Sequence, residues 1–167
     1  MITSRQIIDM FKMKPLTNEG GYYTETYRAE GKIQHKALPE RYSGARNYST
    51  AILCLLTADK CSKLHRVKSD EIFHFYLGDP VIMLQLFPDG SDKIIILGND
   101  IEKNQQVQVV APKDIWQGCF IKEGGSFALM GTTVSPGFEF DDFELARREY
   151  LLQKYPAQQE MIIRLTE

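Results

Sequence analysis

The sequence has no strong charge of one sign and no long apolar run. Its 167 residues include 20 lysines and arginines against 22 aspartates and glutamates, a formal net charge of −2. No block of about five or six like charges occurs, so a nucleic-acid-binding arm is not indicated. No apolar run approaches the roughly 18 residues needed to span a bilayer, and early charged residues interrupt any signal-peptide core. We therefore expect a cytoplasmic protein that binds neither nucleic acid nor membrane.

Cysteine is also scarce. Cys54, Cys61 and Cys119 form an odd set without a C-x-x-C pair. Neither a disulfide framework nor a zinc knuckle is therefore indicated. We expect all three to be reduced and to act as small packing residues rather than nucleophiles.

What the sequence does contain is a succession of short strand patterns separated by glycine- and proline-containing turns. This spacing is typical of an antiparallel sandwich or barrel rather than of βαβ units, and the length fits one domain over residues 1–167. The predicted strands are Tyr22–Tyr27, Tyr48–Leu56, Ser62–Val67, Glu71–Leu77, Val81–Phe87, Lys93–Leu97, Gln106–Ala111, Ile115–Ile121 and Phe127–Val134.

Short helices are predicted at both ends of the chain. Thr3 followed by Gln6 has the capping-box spacing, and Asp141 followed by Glu144 repeats it before an apolar helical stripe. A last short helix is predicted over Gln158–Leu165. The acidic segment around Asp141 is interpreted as solvated, without a catalytic role.

Two further segments have no predicted chemistry. The polar stretch Ala29–Arg46 lacks periodicity, which predicts a mobile loop with a solvated His35. The strand Tyr22–Tyr27 alternates aromatic and polar residues, and such a strand at a sheet edge could pair with a partner chain. We therefore expect a homodimer. Its tyrosines could also offer a phenolic acid or a stacking surface, although sheet packing is the simpler interpretation.

Candidate chemistry concentrates between His65 and Gly78. His65 and Glu71 lie on consecutive predicted strands, and if both point inward they meet in a cavity as candidate catalytic residues. The same pair could instead only orient a bound ligand. The residues that share these inward faces, and are predicted to contact a ligand, are Gln117, Phe73, Phe75, Cys119 and Lys63. His74 should point to the opposite face.

These residues resemble the first motif of the cupin superfamily, G-x5-H-x-H-x3-4-E-x6-G. His65, Glu71 and Gly78 match it, whereas Asp59 replaces its first glycine and Val67 its second histidine. The second motif, G-x5-P-x-G-x2-H-x3-N, is matched by Pro112 alone, with Gln117 at its histidine. The phrases EGGYYTETYR, SDEIFHFYLGDP and SPGFEFDDFEL resemble an uncharacterised single-domain cupin subfamily.

The resemblance implies a mainly β fold, a cupin-type double-stranded β-helix or jelly-roll barrel, commonly dimeric, with a ligand cavity inside. Val67 and Gln117 occupy two of the four metal-ligand positions, so no cofactor is expected, and a divalent metal at His65 and Glu71 is the weaker alternative. We expect a small-molecule ligand, with metal-independent isomerase or epimerase chemistry on a sugar-like or other small substrate. A metal-dependent oxygenase or isomerase and a non-catalytic storage module remain alternatives, so whether the protein is an enzyme stays open.

Overall fold

Antiparallel strands are the main regular secondary structure of the computed structural model, which describes residues 2–166. The strands are β1 (Lys14–Pro15), β2 (Tyr22–Arg28), β3 (Lys32–Ile33), β4 (Arg46–Asn47), β5 (Thr50–Thr57), β6 (Cys61–Val67), β7 (Asp70–Gly78), β8 (Val81–Leu86), β9 (Asp92–Leu97), β10 (Gln108–Ala111), β11 (Trp116–Ile121), β12 (Phe127–Ser135) and β13 (Phe143–Leu145). The α-helices are α1 (Ser4–Met10), α2 (Arg148–Lys154) and α3 (Gln159–Arg164). The prediction of a mainly β chain with short terminal helices is confirmed.

Two sheets form the body of the molecule. The first has six strands in the order β1-β2-β5-β12-β7-β10, and the second has five in the order β13-β6-β11-β8-β9. Strands β6 and β7 follow each other in sequence but belong to different sheets. Residues of the β6–β7 unit can therefore approach one another from opposite walls of the barrel. A separate ribbon pairs β3 with β4.

The apolar core lies in three places. Between the sheets, a cluster that includes Phe73, Phe75, Met83 and Cys119 is almost inaccessible to solvent. On the outer face of the second sheet, a cluster containing Trp116 packs against α2 and α3. The third lies under α1. Burial of each large apolar side chain contributes about 1.5–3 kcal/mol, so these clusters fix both the barrel and its helical covers.

The nine predicted strands all appear, each with bounds within about two residues, a normal uncertainty for strand ends. The predicted start of α1 is also correct. Thr3 Oγ1 accepts a hydrogen bond from the backbone N–H of Gln6 at 3.3 Å, and Gln6 Oε1 accepts one from the backbone N–H of Thr3 at 2.9 Å. No helix within residues 2–166 combines the length and the apolar character needed to cross a bilayer.

The second predicted helix cap is wrong. Residues 140–142 form a 3-10 turn, β13 follows it, and α2 begins only at Arg148. The reason lies in tertiary contacts: β13 pairs with β6, with Phe143 opposite Val67, and Asp142 is held by Arg46. A strand partner and a buried charge partner therefore override the local capping signal. The predicted helix over Gln158–Leu165 corresponds to α3 and is correct.

The segment Ala29–Arg46 is not an unstructured loop. It contains β3, a 3-10 turn over 35–37 and the start of β4. Tyr42 is 1% exposed, and its hydroxyl lies 3.1 Å from the Lys68 carbonyl and 2.8 Å from Ser69 Oγ. One buried aromatic side chain therefore ties a polar segment to the barrel. His35 is exposed, as expected.

Candidate functional site

A cavity of ≈320 Å³ lies between the two sheets. Its walls are largely apolar, and a few polar side chains project from the strands and the neighbouring loops. The apolar lining residues are Leu16, Ile52, Val67, Val134, Phe138, Phe140 and Phe143. This volume is at the lower end of the range of about 300–1,000 Å³ typical of small-molecule sites.

Four strands, two from each sheet, carry the polar side chains at and beside the cavity. His65 on β6 lies opposite Gln117 on the neighbouring β11. Glu71 on β7 and Thr132 on the adjacent β12 reach the same place from the other sheet. The predicted meeting of His65, Glu71 and Gln117 is thus what the structure shows, because consecutive strands β6 and β7 lie in opposite walls.

A glycine allows β11 to approach β6 at this point. The pairing register shifts between Gln117 and Cys119, and Gly118 lies between them. A Cβ atom at Gly118 would lie 2.9 Å from the Ser62 carbonyl oxygen, too close for an ordinary contact. The close approach of the strands at this irregularity helps to place Gln117 directly opposite His65.

Hydrogen bonds join His65, Gln117 and Glu71 in a row. His65 Nδ1 lies 2.7 Å from the Lys63 carbonyl, which can only accept, so Nδ1 carries the hydrogen. Gln117 Nε2 donates to His65 Nε2 at 2.7 Å and to Glu71 Oε2 at 3.1 Å. In this arrangement His65 is a neutral imidazole with both ring nitrogens engaged, and Gln117 uses both of its N–H donors.

Burial is the main influence on Glu71. Loss of hydration raises the pKa of its carboxyl to about 7, with a further increase from the negative charge of Glu19. A positive charge on His65, when the ring is protonated, and the hydrogen bond from Thr132 act in the opposite direction. A carboxyl that titrates near neutral pH inside a cavity can both accept and return a proton.

Glu19, which the sequence reasoning missed, forms a second carboxylate in the cavity. It lies just before the Gly20-Gly21 turn into β2. Its Oε1 accepts a hydrogen bond from Ser62 Oγ at 2.5 Å, and its Oε2 lies 3.9 Å from His65 Nε2. A carboxylate beside a double-glycine turn was the only sequence signal, and this signal does not specify an inward direction.

Arg28 lies in the cavity wall near the end of β2. It binds both oxygens of Glu25, at 3.0 and 2.8 Å, and one oxygen of Glu139 at 2.8 Å. It also contacts the Asn47 side-chain oxygen at 3.1 Å and the Phe138 carbonyl at 3.4 Å. These contacts join β2 to the segment that carries the aromatic wall.

The acidic and aromatic segment 138–143, interpreted from sequence as solvated and without a catalytic role, forms part of the cavity wall. Phe143 stacks on the imidazole of His65, with ring centroids 5.0 Å apart. Phe138 and Phe140 pack edge-to-face at 5.2 Å. Asp142 anchors the segment through two bonds of 2.6 Å to Arg46. This wall was not predicted from the sequence because its contacts with His65 and Arg46 join segments that are far apart in the chain.

None of the five residues predicted to contact a ligand lines the cavity, although Gln117 is bound to two residues that do. Phe73, Phe75 and Cys119 face the interior, as the alternation predicts, but they belong to the closely packed core. Burial raises the pKa of the Cys119 thiol well above its usual value, which keeps it protonated. Lys63 borders a different surface depression, together with Lys60. Strand alternation gives the face of a residue but not its depth in the barrel.

The donor set does not fit a transition-metal centre. The apolar Val67 lines the cavity where the motif has a histidine, and the Gln117 amide occupies His65 Nε2. His74 is bound to Thr133 Oγ1 and Gln108 Nε2, and, three residues after Glu71 on β7, it lies on the other face of the strand. Within residues 2–166 no three His, Cys, Asp or Glu side chains are grouped so as to hold a metal ion.

Comparisons with known proteins agree with this fold. The family model described as Cupin superfamily (DUF985) matches residues 5–146. The uncharacterized protein YML079W of Saccharomyces cerevisiae is 29% identical over 140 residues, which cover 78% of this chain and 69% of that protein. The crystal structure of protein SO0799 from Shewanella oneidensis has 29% identity and a TM-score of 0.88, covering 100% of this chain and 99% of that one. A hypothetical protein from Leishmania major has 26% identity and a TM-score of 0.88, covering 98% of each chain.

Proposed function

The chain belongs to the cupin superfamily, in the family DUF985, and from this membership and the geometry of its barrel we propose that it binds a small organic molecule beside His65, Glu71 and Gln117. The observation that carries the proposal is the cavity itself. Its volume of ≈320 Å³ and its apolar walls with a few convergent polar groups are typical of ligand sites. A fully packed barrel interior would instead have favoured the alternative of a non-catalytic storage or interaction module.

The chemistry that we propose for this site is metal-independent proton transfer of the isomerase or epimerase type. Glu71 is the candidate general acid and base, because its carboxyl lines the cavity and its pKa is about 7. His65 is a positioning partner in the resting arrangement, since Lys63 and Gln117 engage both of its nitrogens. If a ligand draws the Gln117 amide away, His65 Nε2 becomes a second acceptor.

A ligand-observed NMR screen with a library of small organic molecules tests binding. We expect to find ligands that bind the wild-type protein but not the Val67→Phe variant. Val67 lines the cavity, and a larger side chain there would fill it. Glu144→Gln is the matched surface control, since Glu144 makes an exposed ion pair with Arg66. Ligands that bind Val67→Phe as well as wild type would place binding elsewhere.

Exchange of a ligand carbon-bound hydrogen in D₂O tests the proton transfer. Wild type should catalyse the exchange, and Glu71→Gln should abolish it while the ligand still binds. His65→Ala should alter affinity or exchange. If neither measurement changes in His65→Ala, the role of the His65 and Glu71 pair is wrong. Elemental analysis of protein purified without chelator tests the metal-dependent alternative.

We also propose a homodimer in the cytoplasm. Strand β1 covers β2 only at Tyr22 and Tyr23, so within the described residues the outer edge of β2 continues beyond its partner, with Tyr27 56% exposed. An open strand edge is a natural pairing surface. Sedimentation should give twice the 19.2 kDa chain mass, and a monomer mass would contradict the dimer. Fractionation of the source cells tests the location.

A further inference from the structure

We propose that the ligand of this cavity is an organic cation with an apolar or aromatic body, such as an amine or amidine, rather than a carboxylate or phosphate. The inference rests on the proposed function, because it names the ligand class of the same cavity. It stands on the balance of charge and of free hydrogen-bonding capacity in the lining.

Negative groups outnumber positive ones around the cavity. The lining residues that the structure describes include one arginine, Arg28, and no lysine. The carboxylates of the lining are Glu19, Glu25, Glu71 and Glu139. In a partly dehydrated space, an anionic ligand would meet like charges that water screens weakly, whereas a cation would be attracted.

Within the described part of the chain, the single cation of the lining has no free donor for an anion. Arg28 has five N–H groups, and the structure provides five acceptors for them. Two of these acceptors are the oxygens of Glu25, and a third belongs to Glu139. An anionic ligand would have to displace a bidentate carboxylate pair to reach this guanidinium.

The donors beside Glu71 are likewise in use. Gln117 gives one N–H to His65 and the other to Glu71, and His65 gives its only N–H to the Lys63 carbonyl. Ser62 gives its hydroxyl to Glu19. The neutral donors that remain in the lining carry no charge with which to hold an anion.

Acceptor capacity remains at the same place. A carboxylate can accept about four hydrogen bonds, whereas the side chain of Glu19 is given one, from Ser62. Glu71 accepts from Gln117 and Thr132. The two carboxylates therefore favour a ligand that donates, and a cationic donor would form charge-assisted bonds with them.

The aromatic wall suits the body of such a ligand. Phe138, Phe140 and Phe143 line the cavity together with Tyr23. Ring faces attract cations and stack on flat apolar groups. The combination of carboxylates and aromatic faces is the chemistry that recognises an arylamine or amidine.

Three probes that share one aromatic ring test the inference: benzamidine, benzyl alcohol and benzoate. Their dissociation constants are measured by NMR titration of the wild-type protein at pH 7.5. We expect benzamidine to bind at least about tenfold more tightly than benzoate. Glu19→Gln should weaken the binding of benzamidine by roughly tenfold and leave the binding of benzyl alcohol nearly unchanged. Glu144→Gln should change neither.

The outcomes separate this inference from the proposed function. If benzoate binds as tightly as benzamidine, or if Glu19→Gln leaves the preference for benzamidine intact, the inference is overturned while binding in the cavity stands. If none of the three probes shifts the resonances of cavity residues while molecules from the library screen do, the inference alone is overturned. If no molecule of either set shifts them, the proposed binding function fails and the inference fails with it. A chemical-shift fingerprint of Glu19→Gln like that of wild type confirms that the variant is folded.

Discussion

The side-chain amide of Gln117 donates to His65 Nε2 over 2.7 Å, and the same amide nitrogen donates to Glu71 Oε2. Gln117 therefore separates the imidazole from the carboxyl and prevents a direct contact between them. Its own Oε1 is buried and has no hydrogen-bond partner among residues 2–166. Such an unsatisfied group costs about 1–3 kcal/mol, and the amide is held in this orientation by its two donated bonds.

Replacement of Gln117 by glutamate should change the protonation state of His65. A carboxylate cannot donate to Nε2, so the imidazole must bind a proton there to keep a hydrogen bond. We expect the ring ¹⁵N signals of His65 at pH 7 to move from the neutral Nδ1–H pattern to the imidazolium pattern. The signals of His35 and His74 serve as internal controls. Retention of the neutral pattern in Gln117→Glu would contradict the role given to the amide.

Glu71 should make the protein less stable as the pH rises. Its folded-state pKa of about 7 lies above the usual 4.5, so between these values the folded state binds more protons than the unfolded state. The unfolding free energy of wild type should then fall relative to Glu71→Gln, by up to about 3 kcal/mol, between pH 4.5 and 7. Above pH 7 the difference should stay constant.

Urea unfolding of both proteins from pH 4.5 to 8 measures this difference, and other titrating groups cancel in the comparison. A difference that does not change with pH would mean that Glu71 titrates normally. A ¹³C titration of its carboxyl carbon should give a midpoint near neutral pH.

The barrel could be predicted from the sequence because its strands repeat with period two and are punctuated by turns. That local signal gave every long strand, and the spacing of His65 and Glu71 gave the pair at the cavity. It failed for β13, where an acidic pair resembles a helix cap but the chain is fixed by β6 and Arg46. Short strands depend on their partner more than on their own residues.

The remainder of the site depends on long-range placement. Glu19 enters the cavity from a turn, and Phe143 reaches His65 from the far end of the chain. Local periodicity does not encode the inward orientation of either side chain. Phe73 and Phe75 were predicted to contact a ligand, and this was wrong for a different reason. Their inward face was predicted correctly, but they lie deeper, in the packed core. A strand pattern therefore predicts which residues face inward, and only the assembled barrel separates cavity from core.

The buried pair of Arg46 and Asp142 should be essential to stability. Its side chains are only 3% and 2% exposed and share two bonds of 2.6 Å. Asp142→Asn leaves the guanidinium without its counter-charge, and we expect a loss of about 3–5 kcal/mol in the unfolding free energy. Glu144→Gln, which breaks the exposed pair with Arg66, should cost no more than about 1 kcal/mol.

Urea unfolding at pH 7 compares the two variants. Asp142 also anchors the wall that carries Phe143, so Asp142→Asn should weaken the binding of any cavity ligand found in the screen. The double variant Arg46→Met with Asp142→Leu should recover part of the lost stability, because no unpaired charge remains. Equal small losses in Asp142→Asn and Glu144→Gln would contradict the structural role of the buried pair.

A metal centre should appear when the two missing histidines are restored. Val67 lines the cavity on the same strand face as His65, and Gln117 occupies the position opposite His65. The double variant Val67→His with Gln117→His would therefore bring three imidazoles and Glu71 together, a donor set suited to zinc or nickel. We expect it to keep one metal ion per chain through desalting and to unfold at a higher temperature with metal than with EDTA.

Val67→Leu with Gln117→Leu is the matched control and should keep none. Addition of His74→Ala to the histidine variant should leave metal binding unchanged, because His74 is bound to Thr133 and Gln108. A folded histidine variant that retains no metal would show that the barrel geometry, and not only Val67 and Gln117, prevents the site from forming.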